Sequence, residues 1–284
     1  MIRVLLPTDF SNNALHAIRY ALLLFKEIEC TFYLLNTYMP ASYAVGSMPN
    51  TFSALQMEEI MKENSKRRLD GIEKKIKKED GNDKHIFKKI SAFNFLTNEI
   101  SKIVKKKKID YVIMGTQGAT GAKEIFLGTQ TMYAIKKAKC PLIAVPELAR
   151  LERPKNILFP TAFEIDLQKN CLNYLKKLCD AHSSQLIFLH VNHGDSLNLS
   201  QKEVKEWLHK YFQAFNPQFH FDMNIKLIDA VNLYQEKFKI NMLAMVHDQH
   251  GFFSNLLFKH AINQFAYHTK VPFLVLPSKI HLSP

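Results

Sequence analysis

Four cysteines in 284 residues are too few for a disulfide framework. No stretch approaches 18 apolar residues, and no charged segment leading into an apolar run opens the chain. Neither a membrane span nor a secretory signal is therefore expected, and the sequence reads as cytoplasmic with no membrane partner. Zinc-module spacing, a basic stripe interleaved with aromatics and any nucleic-acid recognition motif are also missing, so the net charge of +12 does not by itself indicate a nucleic-acid partner. That charge divides into +8 over residues 1–148 and +4 over the rest, clustered at Lys74–Lys78 and Lys105–Lys108. Both clusters fall near the ends of charged helical stretches, where cations complement the helix dipole. Two catalytic signatures are missing as well: the G-x4-G-K-[ST] phosphate loop and a Ser-His-Asp set with a nucleophile elbow.

What is present begins with Gly115-Thr116-Gln117-Gly118, then nine intervening residues, then Gly128-Thr129. This G-x2-G-x9-G-[ST] pattern follows the apolar run Tyr111–Met114 and precedes a second run, Leu142–Val145. A strand entering such a loop presents backbone N–H groups at its carboxyl end. Glycine suits the loop because a Cβ would hinder both a positive φ and the close approach of a phosphate. The Thr129 hydroxyl adds a donor ahead of a helix expected over Thr131–Lys139, whose N-terminus favours an anion. At the front of the chain, Arg3–Leu6 reads as a buried strand and Pro7-Thr8-Asp9-Phe10-Ser11 as a loop with helix-starting chemistry. Leu15, Ile18, Leu22 and Phe25 then mark one face of an amphipathic helix.

The opening strand-Pro-Thr-Asp-Phe-Ser and the complete glycine signature, both within residues 1–146, resemble the universal stress protein family. That resemblance implies ATP as ligand, with Asp9 beside the adenosine and the glycine loop around the phosphates. The implied contacts are Pro7, Thr8, Asp9 and Thr37 at the ends of the first two strands, and Met114, Gly115 and Gly118 after the fourth. Gly128, Thr129, Gln130 and Thr131 complete the set at the following helix. Magnesium or manganese would be carried by the phosphates, with no protein cage. The resemblance further implies a stress or signalling module, with ATP hydrolysis slow if present. No catalytic residue is assigned. Asp9 can act as a general base only with a water or hydroxyl within hydrogen-bond reach and reads more simply as a ribose acceptor or a helix cap. Lys123, inside the spacer, can reach a phosphate but reads more simply as a solvent-facing loop lysine.

The second half repeats the first. Lys108–Met114 aligns with Lys239–Met245, and Cys140–Pro146 with Val271–Pro277, at an offset of 131; Val4–Phe10 aligns with Ile157–Phe163 at 153. So long a period indicates two tandem domains, expected at 1–148 and 154–284. In the second copy Asp9 becomes Ala162, Gly115 becomes Val246, Gly118 becomes Gln249, Gly128 becomes Lys259 and Thr129 becomes His260. The strands survive and the anion cradle is lost, so the second copy reads as a degenerate domain that binds no ATP in this manner.

Within the first copy, strands are expected near Arg3–Leu6, Thr31–Asn36, His85–Ile90, Asp110–Met114 and Leu142–Val145, alternating with helical stretches. Glu58–Lys78 is a charged surface helix with Leu69, Ile72 and Ile76 at helical spacing, and Tyr38 to about Leu55 reads as a mobile cover. The fold class is α/β: two tandem doubly wound domains, each a five-stranded parallel sheet with helices on both faces. The ligand belongs where the strand order reverses, which brings the loops after the first and fourth strands together. The last strands of the two copies, Leu142–Val145 and Phe273–Leu276, are expected near a pseudo-twofold interface, forming an intramolecular pseudo-dimer and leaving room for a further homodimer. Cys171, Leu175 and Leu178 share a core-facing helix side, and Cys140 sits at a strand entrance. Ten of the twelve histidines lie after residue 180, and His247-Asp248-x-His250 with His260 replaces the phosphate loop. Such a set can hold a transition metal, but it reads as surface histidine in a relaxed loop and no metal is assigned. Three function classes remain: a nucleotide-binding regulatory module, a nucleotide-independent scaffold, and a slow ATPase.

Overall fold

The computed structural model describes residues 1–39, 52–116, 128–137, 139–166, 170–192, 196–247 and 270–277. The first half contributes strands β1 (Ile2–Pro7), β2 (Cys30–Tyr38), β3 (His85–Phe93), β4 (Tyr111–Gly115) and β5 (Leu142–Val145). Its helices are α1 (Asn12–Leu24), α2 (Phe52–Glu79), α3 (Leu96–Lys107) and α4 (Thr129–Lys137). The second half contributes β6 (Asn156–Pro160), β7 (Gln185–Asn192), β8 (Gln218–Met223), β9 (Met242–His247) and β10 (Phe273–Pro277). Its described helices are α5 (Leu172–His182), α6 (Leu199–Tyr211) and α7 (Leu227–Lys237).

Among the described residues all ten strands form one sheet in the order β3-β2-β1-β4-β5-β10-β9-β6-β7-β8. Each half is parallel within itself, and the two five-strand sets meet where β5 and β10 pair antiparallel. That pairing matches Ile143 with Leu274, which are equivalent positions in the two copies, and sets Leu142 opposite Val275 and Ala144 opposite Phe273. The register is thus symmetric about one repeated residue. The inner strands are apolar on both sides, as expected where both sheet faces are covered, whereas the edge strands β3 and β8 carry polar, partly exposed residues. Val4 and Leu6 pack on one face with α1, α2, α5 and α6. Leu5 packs on the other with α3, α4 and α7. Each of these cores draws residues from both halves.

Several expected bounds shift. The α2 helix starts at Phe52, α4 runs two residues earlier than anticipated, and β3 continues past Ile90 to pair Ala92 and Phe93 with Thr37 and Tyr38. On α1, Ile18, Leu22 and Phe25 are buried as expected, whereas Leu15 is only half-buried. The buried stripe also takes in Ala14, Ala17 and Ala21, whose small side chains let the helix lie close to the sheet. Cys140 and Cys171 are both buried. Residues 40–51, most of the expected cover, lie outside the described residues.

The repeat extends to local geometry. Phe10 and Phe163 both adopt a positive φ, 67° and 56°. In each case the preceding threonine but one, Thr8 or Thr161, accepts that residue's N–H through Oγ1, at 3.0 and 2.9 Å. Lys108 and Lys239 likewise share a left-handed conformation before β4 and β9.

Candidate functional site

Strand order reverses between β1 and β4, which pair directly, and a cleft opens at their carboxyl ends. Its volume is about 240 Å³, just under the roughly 300–1,000 Å³ of typical ligand pockets. Residues 117–127, which continue from its rim, lie outside the described residues. The walls come from Pro7, Thr8 and Asp9 after β1, Thr37 at the end of β2, Met114 and Gly115 of β4, and Gly128, Thr129, Gln130 and Thr131 at the start of α4. Ten of the expected contact residues are therefore brought together, and Gly118 falls outside the described residues. Ala14, Asn36 and Leu96 also line the cleft and were not anticipated.

The wall at β1 is built by local hydrogen bonds. Asp9 Oδ1 accepts from the Ser11 N–H at 3.0 Å, and Ser11 Oγ accepts from the Ala14 N–H at 3.1 Å as the N-cap of α1. Asp9 does not itself cap α1; it shapes the turn before the cap and remains exposed at the cleft. Asn36 is buried, and its Nδ2 donates to the Thr8 carbonyl at 2.8 Å, tying the ends of β2 and β1. Phe10 is turned from the cleft towards α2, where the Arg68 guanidinium lies 4.1 Å from its ring centroid.

The opposite wall depends on close approach. Gly115 does not adopt a positive φ, so backbone conformation is not what requires glycine at this position. What excludes a side chain is Asn13: an added Cβ would sit 2.5 Å from Asn13 Oδ1 and 2.8 Å from its Cγ. Thr131, expected as a ligand contact, is buried and donates from Oγ1 to the Gly115 carbonyl at 2.9 Å, joining α4 to β4. The Gly128 N–H donates to the Thr116 carbonyl, and the Gly128 carbonyl accepts from Met132 N at 3.0 Å as α4 begins. Thr129 and Gln130 are exposed in the first turn, where N–H groups lack partners within the helix.

Asp9 is the one charged side chain among the described residues lining the cleft. An anion entering it would meet the N-terminal dipole of α4 and backbone N–H groups, the usual elements of a phosphate site. The described lining offers no second carboxylate, histidine or lysine that could partner Asp9 in acid–base chemistry.

At the equivalent position of the second half the main-chain frame persists with other side chains. The Thr161 carbonyl accepts from His190 Nδ1 at 2.8 Å, so His190 takes the place of Asn36. Ala162 replaces Asp9, and its carbonyl accepts from Gln201 Nε2 at 3.0 Å. The rings of Phe163 and His190 lie 5.2 Å apart, with Phe221 6.0 Å from Phe163. The replacements Gln249, Lys259 and His260, and with them Asp248 and His250 of the histidine cluster, lie outside the described residues. No helix among the described residues is long and apolar enough to cross a membrane.

Comparison with known proteins bears on the same region. The model of the universal stress protein family matches residues 1–146. Universal stress protein MJ0531 of Methanocaldococcus jannaschii is 32% identical over 145 residues, covering 50% of this chain and 81% of the relative. Universal stress protein MJ0577 of the same organism is 30% identical over 156 residues, covering 50% and 93%. The crystal structure of a universal stress protein from Archaeoglobus fulgidus superposes with a TM-score of 0.70 over 97% of this chain and 98% of its own. At 17% identity that likeness concerns the fold alone. With the family model spanning half of its length, this chain belongs to the universal stress protein family.

Proposed function

We propose that residues 1–148 form a domain that binds one adenine nucleotide, ATP, in the cleft between β1 and β4, and that the chain acts as a nucleotide-binding regulatory module. The observation that carries this reading is the convergence of Asp9, Thr37, Gly115 and the first turn of α4 on one cleft at the strand-order reversal. Asp9, exposed beside Thr8 and Thr37, is suited to accept from the ribose hydroxyls, and the N-terminus of α4 to receive the phosphates with their metal ion. Residues 154–284 are a degenerate second domain without this site, because Ala162 and Val246 stand where Asp9 and Gly115 are needed. The two domains form an intramolecular pseudo-dimer through β5 and β10; the symmetric register around Ile143 and Leu274 supports this. Mass spectrometry of small molecules released on denaturing the freshly purified chain tests the reading. Bound ATP or another adenine nucleotide is expected. Absence of any nucleotide, together with no binding of added ATP, would favour a scaffold, and steady phosphate release would favour an ATPase.

A further inference from the structure

Because the second half runs antiparallel to the first across β5 and β10, the amino ends of β6, β9 and β10 share one end of the sheet with the carboxyl ends of β1 and β4. A second and larger cleft, about 970 Å³, opens on that end. Its near edge lies two strands beyond β4 and its far edge four, or about 10 to 19 Å at about 4.8 Å per strand. The connection is direct: Gly115 pairs with Val145, and the chain passes from Val145 through Pro146 and Glu147 to Leu148 on the wall of this cleft.

Four cations line it: Arg150 and Lys155 from the segment between the halves, Lys239 from the turn after α7, and Lys270 before β10. All four are exposed, and none has a salt-bridge partner among the described residues. Glu152 and Glu236 also line the cleft, leaving a net charge of +2. The floor is rigid. Asn241 Oδ1 accepts from the N–H groups of Lys155 and Asn156 at 3.0 and 2.9 Å, and Asn156 Nδ2 donates to the Phe238 carbonyl at 2.9 Å. The equivalent of Asn241 in the first half is Asp110, whose carboxylate makes the same bond to the Arg3 N–H at 2.8 Å. The structural hydrogen bond is thus kept in the second half while its negative charge is removed. With both lone-pair directions of Asn241 Oδ1 occupied, its Nδ2 is left as a neutral donor. Among the described lining residues none is aromatic, so nothing there can stack on a nucleobase.

The geometry points to a second site on this chain, a cleft that takes a small polyphosphorylated compound through its phosphoryl groups beside the nucleotide cleft. Four cations without a salt-bridge partner among the described residues, lining one hollow of this size, favour several anionic oxygens at once, whereas one anion would leave most of them unused. Recognition is electrostatic and weakens as salt is raised.

The test uses inorganic tripolyphosphate and the full chain, titrated by calorimetry at low ionic strength. The comparison variant carries Lys155→Gln, Lys239→Gln and Lys270→Gln, three exposed positions whose loss should leave the melting temperature unchanged. The wild type is expected to bind at this cleft, and the triple variant to lose that binding by at least about tenfold. A further titration in Gly128→Val, which obstructs the cleft at α4, should retain the tripolyphosphate event, separating this site from the proposed nucleotide site. Unchanged affinity in the triple variant, or no tripolyphosphate binding by the wild type, would overturn the assignment. Failure of ATP to bind would not affect it.

Discussion

Replacing Gly115 by alanine probes the closest contact in the cleft wall. The new Cβ would lie 2.5 Å from Asn13 Oδ1, 2.8 Å from Asn13 Cγ and 3.2 Å from the Asn13 carbonyl carbon. The first two are far inside van der Waals contact, and Asn13 is only 4% exposed, so its amide has little room to swing away. Either Asn13 is displaced or the end of β4 withdraws from α1. Overpacking of this kind costs about 1–3 kcal/mol, or several degrees in melting temperature for a chain of this size. Gly115 also receives the Thr131 hydroxyl and lines the cleft, so withdrawal of β4 carries the start of α4 with it. Nucleotide affinity should fall by about tenfold or more, equivalent to roughly 1.4 kcal/mol. In the double variant Asn13→Ala, Gly115→Ala the two severe contacts disappear, and the carbonyl carbon at 3.2 Å needs a shift of only a few tenths of an ångström. The double variant should therefore be more stable than the sum of the two single effects by at least about 1 kcal/mol, measured by thermal or urea unfolding in a double-mutant cycle. A Gly115→Ala chain that melts and binds like the wild type would refute the steric reasoning, as would a cycle with no coupling.

Three further outcomes follow from the same geometry. Asp9→Ala, which copies Ala162, should weaken ATP and adenosine alike, by about 1–3 kcal/mol for a charge-assisted hydrogen bond; loss of phosphate release with adenosine binding intact would make Asp9 catalytic instead. Gly128→Val should cut ATP affinity at least about tenfold while sparing adenosine, and equal losses for both ligands in parallel titrations would show that the residue does not face the phosphates. His182 supplies a pH signature, since burial, and then Arg153, hold its pKa down at about 4. Its neutral form is favoured by the fold, so its contribution is complete above about pH 6.5 and is lost as pH falls from there towards 4. The loss is below about 3 kcal/mol because the ring is partly solvated. Urea unfolding of wild type against His182→Gln across that window should show a steeper decline for the wild type; parallel curves would remove His182 from the account.

The architecture was largely legible because its signals are local. The run Leu142–Val145 is the whole of β5, and the core of β1 lies within two residues of the expected span. The strand-order reversal at β1 and β4 follows from alternating strands and helices, and it places ten anticipated residues on one cleft. Two buried asparagines were not legible. Asn36 ends an apolar strand and Asn13 sits in the first turn of α1, where polar residues read as surface, yet both are covered by neighbouring elements and set the cleft's shape. The reason for Gly115 was likewise hidden, because a tertiary contact with Asn13 leaves no mark in the glycine pattern itself. The second cleft escaped notice for a topological reason: Arg150, Lys155, Lys239 and Lys270 are dispersed over 120 residues and meet only through the antiparallel junction of β5 with β10.

The asymmetry between the halves is tested most directly by counting nucleotides. Equilibrium dialysis of labelled ATP against the Lys155→Gln, Lys239→Gln, Lys270→Gln chain leaves the cleft between β1 and β4 intact and removes the competing basic surface. One ATP per chain is expected, with affinity at least about tenfold weaker when Gly128→Val is added. Two equivalent sites, or none, would contradict nucleotide binding confined to the first half.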